Sequence, residues 1–185
     1  MHKTNKKVAV YGDLTALYAA RASFNKNINY NLLDLAIKKY SNVTNLACKN
    51  WYTLFHPENE SQVDFVKMLE ANFGWNVITK RPSEIRRTNS TSPNTDYRFD
   101  VPIAYNIGEA TSEYDEIVVV SDSIELLQPL KLATEFVKVT LSFFNDAMDR
   151  RWWRPLQQTK INFIDLSDLI YSNKISPVQE SERFE

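Results

Sequence analysis

Three aspartates stand where apolar runs stop or restart: Asp13 follows VAVYG, Asp122 follows IVVVS, and Asp100 opens DVPIAYNIGEA, in which Pro102 suits a first helical turn. Carboxylates gathered from distant parts of a chain repel one another and raise the pKa of at least one, unless a divalent cation neutralises the group. An all-oxygen set of this kind suits Mg²⁺ or Mn²⁺. Such an ion can activate water and stabilise charge on a phosphodiester. Helix capping competes as an explanation. Aspartate is among the preferred N-cap residues, and Asp122-x-x-Glu125 has capping-box spacing. A cap accounts for each aspartate singly; a metal accounts for all three meeting.

Other chemistries lack their residues. Gly12, Gly74 and Gly108 are the only glycines, so neither a phosphate-cradling P-loop nor a dinucleotide glycine fingerprint can be written. One cysteine, Cys48, and two histidines, His2 and His56, cannot supply a Cys/His zinc site, and no G-x-S-x-G elbow is present. A net charge of −1 gives no global field toward nucleic acid, so any polyanion site must be a local patch. With 43% hydrophobic and 12% aromatic residues the chain folds rather than staying disordered, and no apolar run is long enough for a membrane span. The lone cysteine and the absence of a secretory pattern at the start lead us to expect a cytoplasmic protein with no membrane partner.

The elements that must position the aspartates follow from periodicity. Residues 7–11, 51–55, 75–79, 116–120, 137–144 and 161–166 are rich in β-branched and aromatic types and read as strands. Between them, NYNLLDLAIKKYS places Leu32, Leu33, Ala36, Ile37 and Tyr40 on one helical stripe. NESQVDFVKMLEANFG does the same with Val63, Val66, Leu69 and Phe73, opening on Asn59 and Gln62 at capping-box spacing and closing on Gly74. Strands with nearly continuous apolar runs alternating with helices predict an α/β domain over residues 1–171, its mainly parallel sheet covered on both faces. Ligands of such sheets bind beyond the carboxyl ends of the strands, the edge on which Asp13 and Asp122 fall. The polar, breaker-rich stretch 81–99 reads as a mobile loop and 172–185 as a flexible tail.

The ordered set of strand-Asp13, NYNLLDLAIKK, YTLFHPENESQVDFVKMLEANFGWNVITKRP, RFDVPIAYNIG, YDEIVVVSDSIELLQPLKLA and FIDLSDL resembles the NYN domain family of PIN-like ribonucleases over nearly the whole chain. The resemblance implies a three-layer PIN-like α/β domain and Mg²⁺- or Mn²⁺-dependent RNA cleavage. It implies Asp13, Asp100 and Asp122 as metal ligands. The sequence departs from the family pattern in three places. Ala16 replaces an asparagine, Asn106 replaces an acidic residue, and SDSIELL lacks the family's glycine, so Glu125 stands in for the second acid of that segment. Asn106 can still ligate through its amide oxygen but brings no charge. The alternative from another class is a catalytically degenerate NYN domain that binds RNA or a protein partner.

Two basic regions complete the reading. Lys80, Arg81, Arg86, Arg87 and Arg98 surround the long loop, and Arg151 and Arg154 flank a tryptophan pair in DRRWWRPLQQTK. Both could contact phosphates of single-stranded or structured RNA. Adjacent helical residues cannot face one core, so Trp152 and Trp153 should differ in burial, the more exposed one marking a contact with RNA or a second subunit of a homodimer.

Overall fold

The structure, a computed structural model, describes residues 6–24, 27–81, 99–167 and 171–172. In chain order these form β1 (Val8–Asp13), α1 (Leu14–Phe24), β2 (Asn27–Ile28), α2 (Tyr30–Ser41), β3 (Cys48–Leu54), α3 (Glu60–Phe73) and β4 (Asn76–Lys80). They continue as α4 (Asp100–Ala110), β5 (Glu116–Val120), α5 (Leu127–Ala133), β6 (Lys138–Phe143), α6 (Trp153–Gln158), β7 (Asn162–Asp165) and β8 (Tyr171–Ser172). Short 3₁₀ turns at Ile124–Leu126, Asn145–Ala147 and Arg150–Trp152 fill three of the connections.

All six strands expected from the sequence are present, displaced by at most a few residues. They form one parallel sheet in the order β4-β3-β1-β5-β6-β7. β2 and β8 pair separately and antiparallel, with Ser172, expected to begin the tail, opposite Asn27. The chain runs outward from β1 to β3 and β4, then crosses back to β5 on the other side of β1. Right-handed crossovers in the two directions put α1 to α3 on one face and α4 to α6 on the other, which makes the fold a three-layer α/β sandwich. The central strands β1 and β5 are buried along their whole length, as a sheet covered on both faces requires.

Both anticipated helices have the boundaries their caps dictate. The Asn29 side chain accepts the Leu32 N–H at the start of α2, and Asn42 closes it in the left-handed region. Asn59 accepts the Gln62 N–H at the start of α3, and Gly74 closes it at φ 60°. The capping box on α3 is only half made: the Gln62 side chain reaches the His56 N–H, at 2.8 Å, instead of that of Asn59. On α2 the buried stripe is narrower than expected. Leu33, Ala36 and Ile37 are buried, but Leu32 and Tyr40 are 41% and 51% exposed, and Asp34 takes the vacated inner position. Its carboxylate accepts the Trp75 indole N–H at 3.3 Å and pairs with Lys38.

Under α1 to α3 the core is aromatic. Trp51 stacks on Trp75 with centroids 4.2 Å apart, and Tyr30 and Phe73 pack against the same ring of Trp75. Trp51 lies so close to β1 that a Cβ on Gly12 would sit 2.1 Å from its ring. Glycine is therefore needed at this position for space. At the amino edge of the sheet, the buried Glu116 is held by Lys6, by Lys138 at 3.0 Å and by Thr140 at 3.0 Å.

Candidate functional site

The reversal of direction between β1 and β5 is a topological switch point. There the connections leave toward opposite faces and open a crevice beyond the carboxyl ends of the strands. Asp13 is the last residue of β1, and Asp122 lies two residues beyond the end of β5. Asp100 begins α4, the helix that crosses back over β1 on its way to β5. Three segments far apart in sequence thus bring one carboxylate each to the same crevice.

Asp13 is 5% exposed. Its Oδ1 accepts the N–H of Thr15 at 2.8 Å and of Ala16 at 3.1 Å, so it caps α1. Those two bonds favour the carboxylate, yet its pKa is pushed up from 3.8 to about 7. Burial is the main cause, and the negative charges of Asp122 and Asp100 add to it. Mutual repulsion is the physical sign that the three groups share a neighbourhood.

Other residues occupy the cap positions beside the other two. The helix beginning at Asp100 has Phe99 at its cap position, with no side-chain cap bond. The turn after Asp122 has Ser123 at its cap position, again with none. Ser123 rather than Asp122 thus holds the cap position of that turn, and Glu125 is exposed, in the field of Arg151. The Asp122 loop is shaped otherwise: Ser121 Oγ accepts the Ser123 N–H at 3.2 Å, and the Asp122 carbonyl accepts the Trp152 indole N–H at 3.0 Å.

Tyr52 belongs to the site and was not singled out from the sequence. It lies beside Asp13 in the parallel register, on the sheet face that α4 covers. Its hydroxyl accepts a hydrogen bond from Asn106 Nδ2 at 2.6 Å, its ring packs on Phe99, and burial pushes its pKa up to about 12. Asn106 Nδ2 also donates to the Pro102 carbonyl at 2.8 Å. That carbonyl can only accept, which fixes the amide nitrogen on this side. Asn106 thus ties α4 to β3 next to Asp13. The signal available in the sequence was the alternation in WYTLF, which puts Trp51 and Tyr52 on opposite faces.

The remaining candidates are dispersed. Lys80 ends β4 and the exposed Arg81 follows it, on the same edge as Asp13 but two strands away, about 10 Å at ordinary strand spacing. Arg86, Arg87 and Arg98 lie outside the described residues, as does the loop expected at 81–99 apart from its ends. Of those ends, Phe99 is buried core. Arg151 and Arg154 are exposed. Arg151 is held by Asp149, with Nη2 to Oδ2 at 2.7 Å. The tryptophans differ in burial as expected, but neither is exposed. Trp152 is fully buried and Trp153 is half-buried, edge-on to Phe163, so Trp152 is withdrawn from any contact surface.

An all-carboxylate set matches the chemistry of a hard divalent cation, and the uncompensated repulsion on Asp13 is the charge such an ion would relieve. Among the described residues, however, no group of three or more His, Cys, Asp or Glu side chains stands where it could hold a metal as the side chains lie. The two facts are compatible for Mg²⁺, which usually keeps several waters and takes only one or two carboxylates directly. An open groove of about 620 Å³ lies elsewhere, between α4 and α5. It begins a turn beyond Asp100 at Ala104 and is walled by Ile107, Pro129, Leu132 and Phe136.

No family model and no curated protein matches the chain. Among solved structures, it is similar to the crystal structure of a protein of unknown function from Vibrio parahaemolyticus. The match has a TM-score of 0.69 at 16% identity, covering 93% of this chain and 100% of that one. The likeness shows that the three-layer fold is shared. Among the described residues no helix is long and apolar enough to cross a membrane.

Proposed function

We propose that the chain is an NYN/PIN-like endoribonuclease dependent on Mg²⁺ or Mn²⁺. The observation that supports it most is the meeting of Asp13, Asp100 and Asp122 at the switch point, where the charges of the last two help to raise the pKa of the first. Asp13, Asp100 and Asp122 would hold the ion, one or two directly and the rest through water. When bound, the ion supplies a water of lowered pKa and charge stabilisation at the phosphodiester. The chain's own part is positional. The α1 cap fixes Asp13, and the Tyr52–Asn106 bond fixes α4 and with it Asp100. Lys80, Arg81, Arg151 and Arg154 would contact phosphates of the RNA away from the crevice itself. RNA as the substrate rests on the resemblance of the ordered segments to the NYN family, and a cytoplasmic setting, consistent with the free Cys48, is part of the same proposal.

A second reading has its own support: a degenerate NYN domain that binds RNA or a protein without cleaving. The Asn106 amide nitrogen is committed to Tyr52 and Pro102, Glu125 is exposed, and the carboxylates form no closed ligand group. Cleavage of single-stranded RNA by the wild type, Asp13→Asn and Asn106→Asp, with EDTA controls, separates the two. The nuclease reading expects Mn²⁺-dependent cleavage that Asp13→Asn abolishes and Asn106→Asp weakens, because a carboxylate cannot donate to the Pro102 carbonyl as the amide nitrogen does. Cleavage that survives both EDTA and Asp13→Asn, or no cleavage above a purification control, overturns it.

A further inference from the structure

We infer that Trp152 is a positioning residue for the carboxylate site, holding the Asp122 loop in place against the repulsion of Asp13 and Asp100; the inference rests on the metal-dependent reading above. Asp122 sits on a three-residue link, 121–123, between β5 and a 3₁₀ turn that has no side-chain cap. Within that link Ser121 Oγ accepts the Ser123 N–H at 3.2 Å. The Trp152 indole reaches it from 30 residues away and donates to the Asp122 carbonyl at 3.0 Å. A buried indole N–H usually finds an acceptor, and the ring of Trp152 is fully buried, so the donor is held in place by packing.

The turn that delivers the indole is itself prebuilt. The Asp149 side chain accepts the Arg151 N–H at 2.9 Å and pairs with its guanidinium, and the Asp149 carbonyl accepts the Trp152 backbone N–H at 2.9 Å. The donor end of the Trp152–Asp122 bond is therefore fixed by contacts outside the carboxylate site. Trp152 touches no reacting atom. It acts through the position of the Asp122 backbone, as outer-shell partners of metal ligands commonly do.

The test is Mn²⁺ affinity, read by electron paramagnetic resonance of the free ion at a temperature where all proteins are folded. The wild type is compared with Trp152→Phe, which keeps an aromatic ring but loses the donor. Leu69→Ala serves as a core control, since Leu69 is fully buried on α3 under the opposite face. Loss of an outer-shell partner weakens metal binding by about 10- to 100-fold, so Trp152→Phe is expected to bind at least about tenfold more weakly while Leu69→Ala binds like the wild type. Equal affinity of Trp152→Phe and wild type overturns the positioning role and leaves the metal reading intact. Equal weakening in Leu69→Ala overturns it as a general effect of destabilisation. A wild type that binds no Mn²⁺ sinks the metal reading and this inference with it. Should Trp152→Phe fail to fold, the indole N–H resonance of Trp152 in the wild type decides: Mg²⁺ is expected to shift it and to leave those of Trp51 and Trp75 in place, and an unmoved Trp152 signal in a protein that binds the ion overturns the inference.

Discussion

Replacing Asp13 by asparagine should make the metal-free protein more stable at pH 8, although it removes a residue at the centre of the site. Asparagine keeps the acceptor that caps α1 through Thr15 and Ala16 and is as good an N-cap as aspartate. What it removes is a buried charge. The Asp13 pKa rises from 3.8 to about 7 on folding. Between those values the folded protein holds a proton that the unfolded chain has released, so stability falls as pH rises through this window and levels off above about 7. At 1.36 kcal/mol per pH unit the full penalty at pH 8 is on the order of 4 kcal/mol, most of it from burial. Urea unfolding of the wild type and Asp13→Asn in EDTA should show the variant ahead at pH 8, with the gap narrowing toward pH 4. Mn²⁺ should narrow the gap at pH 8, since ligand at about 100 times its Kd adds about 2.7 kcal/mol to the form that binds it. A variant less stable than wild type at every pH, by about the 1 kcal/mol of a lost cap, would refute the electrostatic reasoning.

Two further outcomes follow from the core. Gly12→Ala places a methyl group 2.1 Å from the Trp51 ring. Because Trp51 is stacked on Trp75 and cannot step aside, the urea midpoint should drop by an amount equivalent to about 3 kcal/mol; a loss below about 1 kcal/mol would show that the ring gives way. Glu116→Gln should flatten the acid limb of the stability curve. Burial raises the Glu116 pKa, but bonds from Lys6, Lys138 and Thr140 more than offset this and leave it below its ordinary 4.5. Its contribution is thus present above about 4.5 and lost as pH falls through the folded value. An unchanged acid midpoint in the variant contradicts this.

The fold was legible because its strands are apolar almost throughout: EIVVV and VAVY belong only in a sheet covered on both sides, and that alone implied parallel strands and a shared carboxyl edge. The longest helix, α3, announced both its ends through Asn59 and Gly74, whose preferences act within a few residues. What the pattern did not carry was pairing over distance. Leu32 and Tyr40 fit the α2 stripe as well as Ile37 does, and only the arrival of Trp75 against Asp34 decides which side faces in. The candidate carboxylates were readable as strand-end and helix-start residues. Whether Asp122 caps a helix stayed open, because Glu125 at capping-box spacing cannot say that a 3₁₀ turn will start at Ile124 with Ser123 at its cap position. Tyr52 and the Trp152 indole were invisible as site residues, since their roles depend on a hydroxyl meeting Asn106 54 residues away and an N–H meeting a carbonyl 30 residues away.

The place of β1 in the sheet also bears on how the protein is made. It is the first strand of this sheet to be synthesised, yet its second neighbour, β5, ends only at Val120. At about 5–20 residues per second the nascent chain spends on the order of 5–20 s with one edge of its most apolar strand unpaired. An open edge of that kind is a template for pairing with other chains. During the same interval Asp13 has no Asp122 beside it, so the crevice cannot form until translation has passed the β5 turn. Any activity that depends on the crevice is withheld from the growing chain, and a fragment ending after β4 would carry the exposed edge without the site.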